Sequence, residues 1–187
     1  ILSFSHKIYA PLLTNSIYMY VLQDKEPIIG TLQKSDTSYL VQTPSGNVSE
    51  ISLTDVLDII RIPLINEFVA ITTKAGSTLS GTVSAANDSV IVLVSDSVHV
   101  VQVVDIKMIR YKGIVTIGIV KISGKPVKQI KLSLGVQDET FLCKIPYLHS
   151  PEDESIVTNG AVATFIPGVT ERGLIAKDVV LEHVVPE

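Results

Sequence analysis

Five lysines in one short stretch come closest to a chemical signature in this chain. Lys112, Lys121, Lys125, Lys128 and Lys131 form its most basic run. Such a row can track a phosphate backbone, each contact adding salt-dependent affinity. The same row also fits a solvated strand face whose lysines discourage edge pairing. Gripping single-stranded nucleic acid further requires aromatic side chains on which bases stack. Residues 119–137 hold no Phe, Tyr, Trp or His, and Phe141 is the one aromatic placed to take part. The candidate nucleic-acid contacts are therefore Lys121, Lys125, Lys128, Lys131 and Phe141.

Other chemistry is thinner. His149 with Glu152, Asp153 and Glu154 is the only cluster that hints at a metal. Three adjacent carboxylates in a loop do not all turn toward one ion, so a solvated acidic loop is the reading and no metal is expected. His6, His99 and His183 lack spaced partners. The chain has no Gly-x-Ser-x-Gly elbow, no phosphate-binding glycine loop and no His-Glu-x-x-His pair. Cys143 is the only cysteine, which excludes an internal disulfide and a cysteine cluster within one chain. It falls inside an expected strand, where a packed thiol is the ordinary role. The expectation is a protein that is not an enzyme and takes no cofactor and no small-molecule substrate.

Composition narrows the class. The 187 residues are 46% hydrophobic, and the net charge is −4. Much of the apolar content is Val and Ile, which fit a pleated sheet. Overall acidity is unlike the basic footprint of a dedicated nucleic-acid binder. No window approaches the roughly 18–20 apolar residues of a membrane helix. The nearest, residues 90–104, is interrupted by Ser95, Asp96, Ser97, His99 and Gln102. Membrane insertion is not expected, and the excess apolar surface is assigned to contacts between β units or between subunits. A single cysteine suits a reducing compartment, in keeping with a cytoplasmic or virion-associated protein. The numbered sequence opens on Ile1 without an initiator Met, as a fragment or processed form would, and no leader pattern follows.

The elements that position these residues come from a repeat. Residues 15–62 and 66–111 carry nearly the same phrase. Asn15 matches Asn66, Gly30 matches Gly81, Asp36 matches Asn87 and Ser38 matches Ser89, each at an offset of 51 (81 − 30, 87 − 36). Asp55 and Asp105 match at an offset of 50 (105 − 55). Each copy reads as five short period-2 strands separated by turn residues. Gly30 and Gly81 are expected at a bend or a close approach. Asp36 and Asn87 are expected to make turns, or to line a pore in a ring. Asp55 and Asp105 are expected to start a short turn before the closing strand. Residues 112–187 break the repeat and read as a further barrel, with strands at 140–145, 161–166 and 174–183. Units of this size need a neighbour to complete their burial.

The second copy resembles the Sm-like fold, Hfq-like proteins in particular. The carriers are Ala75-Gly76-Ser77-Thr78-Leu79-Ser80-Gly81-Thr82-Val83, then Asn87-Asp88-Ser89-Val90-Ile91-Val92-Leu93, then Val103-Val104-Asp105-Ile106-Lys107-Met108-Ile109. The first copy has the same frame in residues 28–32, 36–41 and 55–60. The resemblance implies bent five-stranded sheets that associate edge to edge, often into rings. The family's ligand groups are missing. An aromatic after the polar turn is replaced by Ser89, and a Tyr-Lys-His run by Gln102-Val103-Val104. The first copy offers Ser38 or Tyr39, and Ser52-Leu53-Thr54, at those places. No RNA-binding role passes to these residues. Residues 138–145, 160–165 and 171–179 resemble the second half of a cold-shock domain, an oligonucleotide/oligosaccharide-binding (OB) barrel.

The expected architecture is all-β: a lead-in at 1–14, two tandem SH3/Sm-like five-stranded barrels at 15–62 and 63–111, and an OB/cold-shock-like barrel at 112–187. The expected function is a non-catalytic assembly or structural subunit that makes homo-oligomers through barrel edges, in a virion, coat or other large particle. The alternative is an RNA- or single-stranded-DNA-binding protein of Sm-like or cold-shock type.

Overall fold

A computed structural model of the chain describes residues 17–34, 38–134, 139–143, 157–170 and 173–182. They form fourteen β-strands and no α-helix, as the period-2 patterning leads one to expect. The lead-in at 1–14, Asp36, and the acidic loop with His149, Glu152, Asp153 and Glu154 lie outside the described residues.

The repeat in sequence is a repeat in strand plan. β1 (Tyr18–Leu22), β2 (Ile28–Lys34), β3 (Ser38–Gln42), β4 (Val48–Ser52) and β5 (Val56–Arg61) form one sheet, ordered β4-β3-β2-β1-β5. β6 (Phe68–Thr73), β7 (Thr78–Ala86), β8 (Val90–Val94), β9 (Val98–Gln102) and β10 (Ile106–Ile122) follow the same order, β10-β6-β7-β8-β9. A 3-10 turn, Leu53–Asp55 or Val103–Asp105, precedes each closing strand. Asp55 and Asp105 therefore end a turn where the sequence suggested that they start one. Their backbone carbonyls matter here. Asp55 accepts from the Gln23 N–H at 3.0 Å and Asp105 from the Lys74 N–H at 2.8 Å. Each bond ties the first hairpin of its copy to the closing strand.

β10 is 17 residues long and leaves the repeat without a break. Its first part pairs with β6, residues 111–114 pair with β13 (Val162–Thr170), and residues 114–122 pair with β11 (Lys125–Ser133). β12 (Thr140–Cys143) pairs with β11, and β14 (Gly173–Leu181) with β13. A parallel contact, Leu142 with Ile175, joins β12 to β14. The strands thus close a ring, β10-β11-β12-β14-β13-β10. The sequence boundary at 111/112 falls inside one continuous strand.

Alternation places one face of each sheet in a shared core. That core runs from Met19 and Ile60 through Val69, Ile71, Ile91 and Leu93 to Phe141, Phe165 and Val179. A second cluster of Tyr18, Tyr20, Leu22, Val41 and Ile51 packs on Val169 and Leu174 of the closed ring. Both copies and the ring are thereby buried against one another.

The matched glycines have a common cause. A Cβ on Gly30 would lie 2.2 Å from the Gln42 carbonyl oxygen, and one on Gly81 would lie 2.9 Å from that of Val94. Each sits where the next strand's backbone crosses closely. Asn87 caps its own turn, its side-chain oxygen accepting from the N–H groups of Ser89 at 2.7 Å and Val90 at 2.8 Å.

Both glycines are expected to be intolerant of a methyl group. Gly30→Ala and Gly81→Ala should each lose about 1–3 kcal/mol in urea unfolding, with Gly30→Ala the worse. Equal stability of Gly30→Ala and the parent would contradict the close approach.

Candidate functional site

The most concentrated chemistry is internal. Arg61, at the end of β5, is 1% exposed, and Glu67 and Glu139 are 3% and 4% exposed. The guanidinium donates to both carboxylate oxygens of Glu67, from Nη1 at 2.8 Å and from Nη2 at 3.0 Å. Its Nε donates to Glu139 Oε2 at 2.8 Å. Glu67 also accepts from the Leu64 N–H at 2.6 Å, which fixes the link between the two copies. The guanidinium lies 4.9 Å from the centre of the Tyr111 ring, and the Tyr111 hydroxyl donates to the Arg61 carbonyl. Burial pulls the guanidinium's pKa down, but Tyr111, the bond and charge of Glu67 and the charge of Glu139 outweigh it and hold it above its ordinary value. Burial pushes the Tyr111 hydroxyl well above the ordinary range of a phenol. Fork geometry, with every guanidinium nitrogen bonded to a carboxylate, makes this a structural clasp. It offers no free acid, base or nucleophile.

Arg61 and Tyr111 occupy equivalent positions of the repeat, at an offset of 50 (111 − 61). Tyr18 pairs with Arg61 as Val69 pairs with Tyr111. One position of the duplicated frame became a cation and its counterpart became the ring beneath it. Sequence reading missed the clasp. Its only signal was a charged residue inside the apolar run Ile59-Ile60-Arg61-Ile62.

The lysine row does not form one surface. β10 and β11 continue past the ring as a two-stranded hairpin. Ile119 opposes Lys128, Lys121 opposes Pro126, Ile122 opposes Lys125, and Thr116 opposes Lys131. Val115, Ile130 and Leu132 are buried and mark the inward parity. Lys121 and Lys128 therefore share one face, and Lys125 and Lys131 the other. Phe141 is 0% exposed, its ring 5.2 Å from that of Phe165. Packed in the core, it has no face to offer a base, which removes it from the candidate contacts.

Cys143 is buried, and burial pushes its thiol up to about 11. A protonated, enclosed sulfur is a poor nucleophile. Among the described residues, no group of three His, Cys, Asp or Glu is placed to hold a metal. No helix of the described residues is long and apolar enough to cross a membrane.

Two surface features remain. A cleft of about 270 Å³ lies where β6 meets the ring, lined by Asn66, Phe68, Lys112, Ile114, Leu134 and Val162 among others. Lys112 Nζ stands 5.6 Å from the centre of the Phe68 ring and 3.4 Å from Glu182. The cleft is below the usual size of a small-molecule site. The second feature is the outer strand of each copy. Among the described residues, β4 pairs only with β3 and β9 only with β8. On β9 the exposed residues include Val98 at 65% and Val100 at 60%, beside Val94 at 41% on β8.

Removing Arg61 leaves two buried carboxylates without their cation. Arg61→Met should lose about 3–5 kcal/mol in denaturant unfolding, whereas Glu139→Leu, which keeps the Arg61–Glu67 pair, should lose less. Adding Glu67→Leu and Glu139→Leu to Arg61→Met should recover much of the loss. A triple variant as weak as the sum of the singles would contradict the pairing. The buried thiol should resist iodoacetamide at pH 7.5 in folded protein and react in guanidinium. Rapid labelling of folded protein would contradict its enclosure.

No protein-family model, curated protein or solved structure matches the chain.

Proposed function

We propose that the chain is a non-catalytic assembly subunit that associates with its own copies through exposed strand edges, as part of a larger particle such as a virion or coat. One observation carries this reading: the edge of β9, which no strand of the described residues covers. The strand reads Val98-His99-Val100-Val101-Gln102. It contains no Lys, no Asp or Glu and no Pro, the usual devices against edge pairing. The ladder sets which backbone groups are free. Val103 donates its N–H to the Ser89 carbonyl at 2.9 Å, so the odd residues of this segment bond toward β8. The N–H groups of Val98, Val100 and Gln102 point to the open side. β4 offers the equivalent edge but carries Glu50.

Further support comes from the rest of the surface. The buried, paired clasp and the enclosed thiol leave the described residues poor in reactive groups. The two copies keep the frame that the Sm-like resemblance associates with rings, and the closed ring of strands fits the OB resemblance. The rival reading, an RNA- or single-stranded-DNA-binding protein, rests on the lysine hairpin. It has lost the stacking group that Phe141 would have supplied.

Purified protein should show a native mass that is a multiple of 20.2 kDa and is unchanged by nuclease. Val100→Pro removes an edge N–H without removing a ladder bond and should lower that mass while the circular dichroism stays that of a β protein. A monodisperse monomer at high concentration would sink the proposal.

A further inference from the structure

The hairpin of β10 and β11 is longer than the ring needs. Among the described residues, the last ties at its base are the Ile117 N–H to Asn159 Oδ1, at 3.1 Å, and the Val115 N–H to the Ala161 carbonyl, at 2.8 Å. Beyond them, most of residues 118–129 are exposed, and both faces of the ribbon are open. Its tip turns through Ser123 and Gly124, with φ of 53° and 80°. Positive φ at both central residues is the turn that matches strand twist in a two-residue hairpin. The arm is thus well specified locally. It nevertheless exposes Ile119 at 75%, Ile122 at 58% and Val127 at 39%. A lone two-stranded ribbon is marginal in water, and these side chains gain from being covered.

The arm's two faces differ. Ile119 and Pro126 share the inward parity with Lys121 and Lys128. The other face carries Val120 opposite Val127, with Ile122 opposite Lys125 at the tip and Thr116 opposite Lys131 at the base. That face is an apolar strip bracketed by two cations.

A matching surface exists on the same chain, far along the second sheet. Val92 opposes Val100 and Val94 opposes Val98 on the outer face of β8 and β9. The exposed Asp96 lies in the turn at one end of this strip and the exposed Asp88 in the turn at the other. Residues 75–106 contain no Lys or Arg. Residues 112–133 contain five Lys and no Asp or Glu. The rest of the chain then holds 10 basic and 19 acidic residues (15 − 5 basic). The arm is basic and its own body is acidic.

We infer that the arm of one copy lies across the valine face of β8 and β9 on the next copy, with Lys125 and Lys131 set against Asp96 and Asp88. This deepens the assembly reading and rests on it. It adds to edge pairing a second contact that joins two different surfaces. Such a head-to-tail contact makes a ring if the rotation closes and a filament if it does not. The apolar strip favours a protein partner over nucleic acid. Phosphates do not cover isoleucine, and the arm has no aromatic residue for a base.

The test is charge reversal on one face at a time, in the full chain. Sedimentation should show Lys125→Glu/Lys131→Glu weakening self-association by about tenfold or more, as two surface pairs turned repulsive would. Lys121→Glu/Lys128→Glu, on the opposite face, should change it little. Adding Asp88→Lys/Asp96→Lys to the first variant should restore association. A parent that assembles while Lys125→Glu/Lys131→Glu assembles equally well overturns the arm contact and leaves edge assembly standing. Equal weakening by both lysine pairs overturns the face assignment. Salt-sensitive binding of labelled oligo-dT that all four lysines support, with assembly unaffected, overturns the contact in favour of nucleic acid. A monomeric parent overturns both readings.

Discussion

A buried cation with nowhere to go in water sets the terms for this fold. Arg61 is enclosed, so its charge must be met inside the protein or the enclosure must open. Two carboxylates meet it, one from the link into the second copy and one from the lead into β12. Neither carboxylate is near Arg61 in its own sheet. The first sheet therefore satisfies its last strand only when the other two parts of the chain are in place. Desolvation makes such a group weak evidence for net stability, but it penalises wrong arrangements heavily.

The duplicated frame has diverged in two directions. On the inside, equivalent positions became unlike and complementary, as Arg61 and Tyr111 illustrate. On the outside, the equivalent edges became unequal. β4 has Glu50 where β9 has Val100 at the matching position (100 − 50). Like surfaces of duplicated units would compete for the same contacts. Where the frame stayed constant at glycine, backbone sterics are responsible, because each glycine lies beside a crossing carbonyl.

Much of the architecture was legible because it rests on local rules. Period-2 apolar runs, Gly and Asn turns and a repeated offset led to the strands of both copies, the turn at Asn87 and the close approach at Gly30 and Gly81. The site was less legible because it depends on distance in space. Glu139 lies 78 residues from Arg61, and nothing in local pattern links them. Phe141 shows the same limit. As an aromatic near lysines it fits a stacking role, yet strand parity turns it inward. The lysines themselves were visible, but their division between two faces depends on the register of β10 against β11.

β10 belongs to two bodies at once, and this bears on how the protein comes into being during synthesis. The second copy closes its sheet only when residues 106–111 are added to β6. That same strand, once held, extends beyond the finished copy as a template against which β11 and later β13 align. Loop closure in the ring then starts from an anchored strand rather than a free chain, which reduces the ordering that slow, non-local β pairing otherwise demands. The ring inherits its starting register from the repeat before it.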